Sequence, residues 1–407
     1  MKHSNISFNR YYLFLTLSLF LIFASAALSG CGGSGSSSGT SVNTYVAGSF
    51  CFGNAIDSSG NIWVANGGTP LGTIGTAPGD SNVTELSPTG AVIGTYVAGM
   101  FPIGIAIDSA GNVWVENYGN GTPGTGLLDS NVTELSPSGT TIGTYVAGSY
   151  PAGGIAIDTS GNVWVTNWGA ASEIPGTPGT AAGDSNVTEL SPTGAVIGTY
   201  VAGSSPGGIA IDSAGNVWVA NKGNGTAGTG LLDSNITELS PSGTTIGTYV
   251  AGSHPEGIAI DPSGNIWVVN KGNGIVGTAP GDSSVTELSS TGAVIGTYTA
   301  GTYPEIVAID SAGNVWVTNG YGRVIGTAPS ESNVTELSPS GAVINTYATG
   351  NQPYGIAIDS AGNVWVTNYG NGTVGTAPGN SNIQEYVGAA KGPQYFPYSG
   401  PQWPGAE

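Results

Sequence analysis

A short pattern of alternating apolar and polar positions recurs seven times along the chain. One copy begins with Ile-Ala-Ile-Asp at residues 356–359, and the copies of its aspartate lie 49 to 54 residues apart. Runs of the type Asn-Val-Trp-Val-x-Asn, Asn-Val-Thr-Glu-Leu and Ile-Gly-Thr-Tyr-Val follow, separated by Gly, Pro, Ser and Asp. Short β-branched runs bounded by turn residues predict strands, four per repeat. The repeated aspartates are Asp57, Asp108, Asp158, Asp212, Asp261, Asp310 and Asp359.

The composition narrows the fold class. Charged residues are 8% of the 407 residues and Gly reaches 70, which leaves little material for helices. The length alone could hold several domains, but a regular period of this size indicates a single repeat domain. We therefore predict an all-β fold, a seven-bladed β-propeller whose blades each have four strands.

The two termini predict how the ring closes. Residues 44–48 read Thr-Tyr-Val-Ala-Gly, like residues 95–99, but they precede the first complete repeat. The last repeat has a third strand at 382–386 and no fourth. We expect residues 43–47 to complete blade seven as its outermost strand, so that the propeller spans residues 43–387 and no terminal blade is left incomplete.

Three repeated residue types are expected to have structural roles, in the turns and in the packing of the blades. The aspartate after the first strand is expected to bond the amides of a tight turn. Small residues suit the inner strands, where blades converge, and these are Ala55, Ala106, Ala156, Ala210, Ala259, Ala308 and Ala357. Large rings fill the wedge between diverging blades, and these are Trp63, Trp114, Trp164, Trp218, Trp267, Trp316 and Trp365.

The N-terminus has the layout of an exported precursor. Lys2 and Arg10 precede an apolar run at 11–28, and Leu-Ser-Gly-Cys follows at 28–31. This resembles the bacterial lipobox, which implies a signal peptide at 1–30, lipidation of Cys31 and a Gly/Ser tether at 31–42. An uncleaved membrane anchor is the alternative. The expected location is exported and lipid-anchored to the bacterial cell envelope, at the outer membrane if the host has one.

Charge and cysteine usage restrict the partners. Loss of residues 1–30 would leave 25 acidic residues against four basic ones, which argues against nucleic acid and anionic lipid surfaces. We expect a monomer that contacts membrane only through its lipid.

Cys51 is the only other cysteine, so lipidation of Cys31 would exclude an intrachain disulfide. We expect the Cys51 side chain to be packed in the core rather than chemically reactive.

The blade at 353–368, Pro-Tyr-Gly-Ile-Ala-Ile-Asp-Ser-Ala-Gly-Asn-Val-Trp-Val-Thr-Asn, resembles NHL repeats and, in particular, the streptogramin (virginiamycin B) lyase-like propellers. The resemblance covers residues 43–387. It implies a metal-assisted elimination that needs a histidine base and metal-held carboxylates. His254 would be the one histidine after cleavage, and an enzymatic site would use His254, Glu256 and Glu305.

Two observations oppose that activity. The second strands end in Asn where the lyase repeats typically read Trp-Phe-Thr-Glu, and Glu116 stands one residue too early to replace that carboxylate. We therefore expect a non-enzymatic ligand-binding or interaction scaffold, with a lyase as the first alternative and a structural surface protein as the second. The asparagines are Asn66, Asn117, Asn167, Asn221, Asn270, Asn319 and Asn368.

The variable positions predict where a ligand would bind. The long loops between second and third strands share one face with the blade entries, whereas the opposite turns are short and nearly invariant. Three sets should ring the channel mouth on the long-loop face. The first set consists of the residues directly before the Pro, or in blade one the Cys, with which each blade begins: Phe50, Phe101, Tyr150, Ser205, His254, Tyr303 and Gln352. The second follows it: Phe52, Ile103, Ala152, Gly207, Glu256, Glu305 and Tyr354. The third follows the second-strand asparagine: Gly67, Tyr118, Trp168, Lys222, Lys271, Gly320 and Tyr369.

These sets predict an aromatic arc opposite an arc of mixed charge, suited to a carbohydrate, a peptide or another extracellular polymer. The alternative is that the aromatic rings merely cover the channel and the cations offset an acidic field. The predicted ligand-binding residues are Phe101, Tyr118, Tyr150, Trp168, Lys222, His254, Glu256, Lys271, Tyr303, Glu305, Arg323, Tyr354 and Tyr369.

No cofactor is predicted. The acidic residues before the third strands could bind Ca²⁺ or Mg²⁺ together with loop carbonyls, but bonding within the turn explains them better. They are Asp80, Asp129, Asp184, Asp233, Asp282 and Glu331. The segment 388–407, which contains Tyr395, Phe396, Tyr398 and Trp403, is expected to be mobile and able to dock on the propeller or on a partner.

Overall fold

The computed structural model describes residues 40–394 except 69–72, 78, 170–177, 182–183, 231, 280, 321–326, 328–330 and 378–379, and it leaves out the side chains of 152 and 153. The expected signal peptide, Cys31, the tether up to residue 39, Arg323 and residues 395–407 lie outside the described residues. The described part contains no helix long and apolar enough to cross a bilayer.

The described chain forms 28 strands in seven four-stranded antiparallel sheets, which confirms the predicted seven-bladed β-propeller. Blade one contains β2 (Cys51–Ile56), β3 (Ile62–Asn66), β4 (Asn82–Leu86) and β5 (Val92–Tyr96). Blade two contains β6 (Pro102–Ile107), β7 (Val113–Asn117), β8 (Asn131–Leu135) and β9 (Thr141–Tyr145). Blade three contains β10 (Pro151–Ile157), β11 (Val163–Asn167), β12 (Asn186–Leu190) and β13 (Val196–Tyr200).

The remaining blades repeat the same order of strands. Blade four contains β14 (Pro206–Ile211), β15 (Val217–Asn221), β16 (Asn235–Leu239) and β17 (Thr245–Tyr249). Blade five contains β18 (Pro255–Ile260), β19 (Ile266–Asn270), β20 (Ser284–Leu288) and β21 (Val294–Tyr298). Blade six contains β22 (Pro304–Ile309), β23 (Val315–Asn319), β24 (Asn333–Leu337) and β25 (Val343–Ala348). Blade seven contains β26 (Pro353–Ile358), β27 (Val364–Asn368), β28 (Asn382–Tyr386) and β1 (Val42–Tyr45).

The N-terminal strand closes the ring, as predicted. β1 pairs antiparallel with β28, with Val42 opposite Tyr386 and Tyr45 opposite Ile383. The strand begins one residue earlier than expected and ends at Tyr45 rather than at residue 47. Blade seven thereby obtains a fourth strand from the other end of the chain.

Each blade packs on the next through the tryptophan of its second strand. Trp63 is fully buried and lies in one cluster with Val113, Val115 and Leu135 of blade two. The other six blade tryptophans are buried to the same degree, with exposures of 0–1%. Burying a large apolar side chain stabilises the fold by at least about 1.5–3 kcal/mol, so these seven contacts hold neighbouring blades together.

The outermost strand covers this wedge with a tyrosine. Tyr96 stacks on Trp63 with ring centroids 5.4 Å apart, and its hydroxyl donates to Glu85 at 2.8 Å. At the closure, Tyr45 stacks on Trp365 at 5.6 Å and donates to Glu385 at 2.9 Å. The tyrosine also covers a turn of the next blade, where a Cβ on Gly90 would lie 2.1 Å from the Tyr45 ring. Gly90 has φ 77°, which likewise favours glycine.

The turn aspartate does more than the sequence predicted. Asp57 Oδ1 accepts the backbone amides of Ser59 and Asn61 at 2.8 and 2.9 Å, as expected for a tight turn. Its Oδ2 also accepts from Trp63 Nε1 at 3.1 Å. The aspartate therefore fixes the orientation of the indole that packs between neighbouring blades. The other six blades repeat this hydrogen bond.

The first part of the segment after blade seven lies on the propeller, which is one of the two docking partners expected for that segment. Ala389 and Ala390 are 8% exposed and belong to the core cluster of blades six and seven. Residues 388–394 therefore pack on the propeller, because their alanines and backbone groups find partners there. The short turns on which they lie form the short-turn face, which is opposite the long-loop face.

We predict that Tyr45→Ala opens the closure. Loss of the stack on Trp365 and of the bond to Glu385 should lower the free energy of unfolding by about 2–4 kcal/mol, as for other large aromatic truncations. Chemical denaturation measures this change. Limited proteolysis with mass spectrometry should show faster cleavage at residues 40–46. The matched control is Tyr96→Ala, which removes the same stack within a continuous blade, so equally slow N-terminal cleavage in both variants would contradict the prediction.

We also predict that stability falls with rising pH in two windows. Burial raises the pKa of Glu134 above its usual range, and it raises the pKa of Tyr145 to about 12. Both groups hold their protons more tightly when folded, so the stability they contribute is present at low pH and is lost as pH rises through the folded values. The melting temperature should fall as pH rises from about 4.5, the usual Glu value, and again between about pH 10 and 12. Tyr145→Phe should weaken the second fall, and an unchanged pH profile would contradict this assignment.

Candidate functional site

A cavity of about 520 Å³ opens at the centre of the long-loop face. We call it the mouth cavity. Most of its wall comes from the second and third predicted sets, so the structure brings residues from all seven blades together. Its lining residues are Phe52, Phe101, Ile103, Tyr118, Trp168, Lys222, Glu256, Lys271, Glu305, Gly320, Gln352, Pro353, Tyr354 and Tyr369.

One side of the mouth cavity is an aromatic arc. Phe52 lies between two tyrosines, with ring centroids 5.4 Å from Tyr354 and 5.1 Å from Tyr369, both edge to face. Farther along, Tyr118 meets Trp168 edge to face at 5.9 Å. Edge-to-face rings stabilise one another and hold fixed orientations, so this side presents rigid apolar surfaces.

The opposite side is built from two ion pairs, each of which joins successive blades. Lys222 Nζ of blade four lies 2.7 Å from Glu256 Oε1 of blade five. Lys271 Nζ lies 2.7 and 3.0 Å from the two carboxylate oxygens of Glu305 in blade six. Lys222 Nζ also stands 4.1 Å above the Trp168 ring, a cation–π contact that connects the charged side to the aromatic arc.

Burial and mutual charge set the protonation of this group. Burial raises the pKa of Glu305, and the neighbouring Glu256 adds to the effect, while Lys271 opposes it. The pKa of Lys271 is raised as well, because the carboxylates of Glu305 and Glu256 outweigh its own burial. Burial, with nearby carboxylates, raises the pKa of Tyr354 well above its usual value, so its phenol stays protonated. The described wall therefore holds two cations, two acids and neutral phenols.

The first predicted set has an unforeseen backbone conformation. All seven of its residues have positive φ values between 46° and 55°. A residue that precedes proline is usually extended, so this conformation opposes the local preference. A hydrogen bond within each blade compensates, since Tyr118 N donates to Phe101 O at 2.9 Å and Lys271 N donates to His254 O at 2.9 Å. These bonds join the first set to the third and fix the rim of the cavity.

Tyr150 and Tyr303 do not line the mouth cavity, contrary to the expectation for the first set. Each ring lies over a loop glycine of the preceding blade instead, where an added Cβ on Gly121 or Gly274 would be 2.1–2.3 Å from the ring. Tyr150 OH donates to Asn120 O at 3.3 Å, which holds the ring on that loop. Phe101 and Gln352, by contrast, do line the mouth cavity.

His254 also lies outside the cavity wall. Its ring covers Gly225, and its Nδ1 lies 3.1 Å from Ser253 Oγ. Burial lowers the pKa of the imidazole, which keeps it neutral at pH 7. Glu256 and Glu305, the other residues of the enzymatic hypothesis, do line the cavity, and the Glu256 carboxylate is near enough to oppose the effect of burial on the His254 pKa.

A buried serine before each third strand organises the rim and was not foreseen. Ser130 Oγ donates to Tyr118 O at 2.6 Å and accepts from Tyr150 N at 3.3 Å. Ser283 bonds Lys271 O at 2.7 Å and Tyr303 N at 3.2 Å in the same way. The signal in the sequence is the repetition of this serine directly before every third strand.

The polar residues beside these serines have structural partners. Asn66 is fully buried at the end of β3, and its amide donates to Asn82 and Thr84 at 2.8 and 3.0 Å. Asp80 Oδ2 accepts a hydrogen bond from Ala77 N at 3.1 Å. This is a bond within the turn, the alternative that was preferred to a calcium site for these acidic residues. The described residues include no group of three or more His, Cys, Asp or Glu placed to hold a metal ion.

Cys51 and Glu116 are buried within the blades. Cys51 is fully buried in the cluster that joins blades seven and one, and burial raises the pKa of its thiol to about 12. Such a thiol is a poor nucleophile. Glu116 is fully buried in β7 and is one of the carboxylates that raise the pKa of Tyr354.

Solved structures share this fold at low sequence identity. A streptogramin B lyase has a TM-score of 0.60 at 15% identity, covering 84% of this chain and 97% of its own. The virginiamycin B lyase of Staphylococcus aureus has a TM-score of 0.60 at 14% identity, covering 85% and 99%. The hydrazine synthase of Kuenenia stuttgartiensis has a TM-score of 0.62 at 15% identity, covering 84% and 98%. Identity at this level shows a common fold alone. No protein-family model and no curated protein matches the chain.

We predict that Lys271→Met destabilises the protein and makes its stability more dependent on pH. The substitution keeps the aliphatic volume but leaves the Glu305 carboxylate buried without its cation, at a cost of about 1–3 kcal/mol after allowance for solvent at Lys271. Lowering the pH should restore stability as Glu305 takes up a proton. Thermal unfolding at pH 5 and pH 8 measures both effects. The control is Lys271→Met with Glu305→Gln, which should recover stability at pH 8, and no recovery would contradict the pairing.

Proposed function

We propose that this protein is a non-enzymatic carbohydrate-binding module of the bacterial cell envelope, anchored through lipidated Cys31. The observation that carries the proposal is the mouth cavity, where an aromatic arc faces two ion pairs. A carbohydrate is the extracellular polymer that best matches such a wall, because its rings have apolar faces and a polar rim of hydroxyls.

The aromatic arc supports ring stacking. Tyr369, Phe52 and Tyr118 belong to three successive blades, so a chain of sugar rings could meet several aromatic surfaces in turn. Binding sites for small ligands are typically concave and mostly apolar, with a few placed polar groups. Because the rings already contact one another, binding would order few side chains and lose little conformational entropy.

The ion pairs support a neutral ligand. The chain as a whole carries a net charge of −19, which repels polyanions, whereas the cations in the wall are already paired with carboxylates. Lys222 and Lys271 supply donors, and Glu256 and Glu305 supply acceptors. Hydroxyl groups act as both donors and acceptors, so they could bond either partner without separating the pairs.

The described chain enters the propeller on the face opposite the mouth cavity. β1 starts at Val42, opposite Tyr386 at the end of β28, which is the short-turn side of blade seven. The N-terminal strand therefore leaves the mouth cavity free for a ligand.

A metal-assisted lyase is the second candidate, favoured by the fold shared with streptogramin lyases and by the acids Glu256 and Glu305. Against it, both acids are engaged by lysines, and His254 lies on a loop glycine. Ring opening of a streptogramin B macrolactone, followed by mass spectrometry with added Mg²⁺, tests this candidate. Turnover that His254→Ala abolishes would favour the lyase over the binding module.

We predict that Tyr118→Ala and Tyr369→Ala each weaken carbohydrate binding at least tenfold, about 1.4 kcal/mol, since aromatic anchors dominate binding energy. A thermal-shift screen against envelope glycans would first identify a ligand, because binding raises the melting temperature. Isothermal titration with that glycan then compares the variants.

The matched control is Ile93→Ala, which truncates an apolar residue that is 52% exposed on the outer strand of blade one. It should bind like the unchanged protein. Equal affinity of all three variants would refute the mouth cavity as the site. If the protein binds a peptide but no glycan, the ligand is a peptide and not the proposed carbohydrate. If it binds neither, the result favours the alternative hypothesis of a structural surface protein.

A further inference from the structure

Two pairs of aromatic rings lie on the long-loop face, and each pair extends from the wall of the mouth cavity to a ring outside it. Tyr118 of the wall meets Tyr150 with ring centroids 4.6 Å apart. Tyr369 of the wall meets Phe50 at 4.5 Å, with a similar tilt between the rings. Neither Tyr150 nor Phe50 lines the mouth cavity. Each pair therefore continues the aromatic surface beyond the cavity, in two different directions.

Glycines of the long loops hold these two outer rings in place. Tyr150 covers Gly121 and Phe50 covers Gly372, where an added Cβ would lie 2.1 and 2.4 Å from the rings. Both glycines also have positive φ values, 86° and 82°, which favour glycine. The side chains of Tyr150 and Phe50 are half-buried. Each outer ring thus rests on a loop and leaves part of its surface open to a ligand.

The blade junction between the two pairs is aromatic as well. One pair lies at the junction of blades seven and one, and the other at the junction of blades two and three. At the junction of blades one and two, an added Cβ on Gly67 would lie 2.7 Å from the Phe52 ring and 3.4 Å from the Phe101 ring. These two rings therefore fill the space that a side chain at residue 67 would occupy.

Aromatic rings thus lie at three successive blade junctions, and all of them are half-buried. We call this surface the aromatic band, and its members are Phe50, Tyr369, Phe52, Phe101, Tyr118 and Tyr150. The next blades differ, because the third set there consists of Lys222 and Lys271, which are held in ion pairs. The band therefore crosses one side of the mouth cavity and has an outer ring at each end.

We propose that the aromatic band binds the interior of a neutral, linear, β-1,4-linked polysaccharide, with Phe50 and Tyr150 as outer subsites on either side of the mouth cavity. This inference rests on the carbohydrate-binding function proposed above and specifies its ligand. An outer ring at both ends of the band gives the chain contacts on both sides of the cavity. A site of this form fits the middle of a chain rather than one of its ends.

The chemistry of the band selects this class of polysaccharide. A half-buried ring can contact only one face of a ligand, and β-1,4 links keep a chain extended, so that successive sugars present flat C–H faces. The rings of the band carry no charge, and the net charge of −19 repels a polyanion. After one sugar has bound, the next contact along the same chain is intramolecular, so affinity should increase with chain length.

The dependence of affinity on ligand length tests the outer subsites. Isothermal titration would use β-1,4-linked oligosaccharides of glucose, N-acetylglucosamine and xylose, each with two, four and six sugars. For at least one series, the hexasaccharide should bind at least tenfold more tightly than the disaccharide. Phe50→Ala and Tyr150→Ala should each weaken hexasaccharide binding about three- to tenfold, the effect of one partly exposed aromatic contact. Both variants should bind the disaccharide like the unchanged protein, because it occupies the mouth cavity alone.

Tyr303→Ala is the matched control for Tyr150→Ala. Tyr303 covers Gly274 as Tyr150 covers Gly121, and both hydroxyls donate to a loop carbonyl at 3.3 Å. The third-set residue of the blade before Tyr303 is Lys271 rather than a tyrosine, so this variant should keep full affinity for the hexasaccharide. As a second check, an octasaccharide with bulky groups on both ends should bind as tightly as the free octasaccharide.

Several results would overturn the inference and leave the proposed function intact. Affinity that does not change with length would restrict the site to the mouth cavity. Equal losses for the disaccharide and the hexasaccharide, or an equal loss in Tyr303→Ala, would show that the outer rings only support the fold. Loss of binding when both ends are blocked would show recognition of a chain end.

The choice of ligand has its own outcomes. Binding of another glycan, but of none of the three series, would refute the β-1,4-linked class and preserve the carbohydrate-binding function. If no glycan binds at all, the proposed function and this inference both fail.

Discussion

The tryptophan of each second strand is the contact on which the ring depends. It is fully buried against the valines and leucine of the next blade, as Trp63 is against Val113, Val115 and Leu135. Its nitrogen is held by the turn aspartate, and its face is covered by the outer tyrosine. Because each blade buries its core only against a neighbour, an open ring would expose one such interface, which explains why β1 is recruited to β28 across the whole length of the chain.

The same constraint explains the position of the candidate site. Near-identical blades converge at the axis, so each contributes one to three variable residues to the mouth cavity, while the other residues of the repeat pack the blades. The ion pairs follow this geometry, since Lys222 bonds Glu256 of the next blade and Lys271 bonds Glu305 of the next. The buried serines hold the rim in the same blade-to-blade direction, so the ring that stabilises the fold also positions the wall.

The two ends of the axis differ in chemistry. The long-loop face presents aromatic rings and paired charges around the mouth cavity, whereas the short-turn face receives both ends of the described chain. Val42 enters there, and Gln394 ends there. The long-loop face therefore carries the candidate site, and the short-turn face carries both ends of the described chain.

The fold could be predicted in nearly complete form from the sequence, because the repeat displays its own strand period, turn residues and interrupted last copy. Even the closure follows, since a strand without a blade and a blade without a strand each leave a backbone edge unpaired. The candidate wall could also be predicted in large part, because departures from a repeated unit mark positions that packing does not determine. Tyr118, Trp168, Lys222, Glu256, Lys271, Glu305, Tyr354 and Tyr369 all line the mouth cavity as expected.

Other features depended on contacts between blades and were not visible in any single repeat. The left-handed backbone of the first set opposes the usual preference before proline, and a buried serine of the preceding blade holds it by accepting from its backbone N–H, as Ser130 does from Tyr150. Tyr150, His254 and Tyr303 turn away from the cavity because a glycine in the preceding blade leaves space for their rings. The sequence by itself determined the blades, their number and their closure, since these follow from local periodicity. Only the tertiary structure decided which side chains share the cavity and which lysine meets which acid, since those depend on distances between residues of different blades.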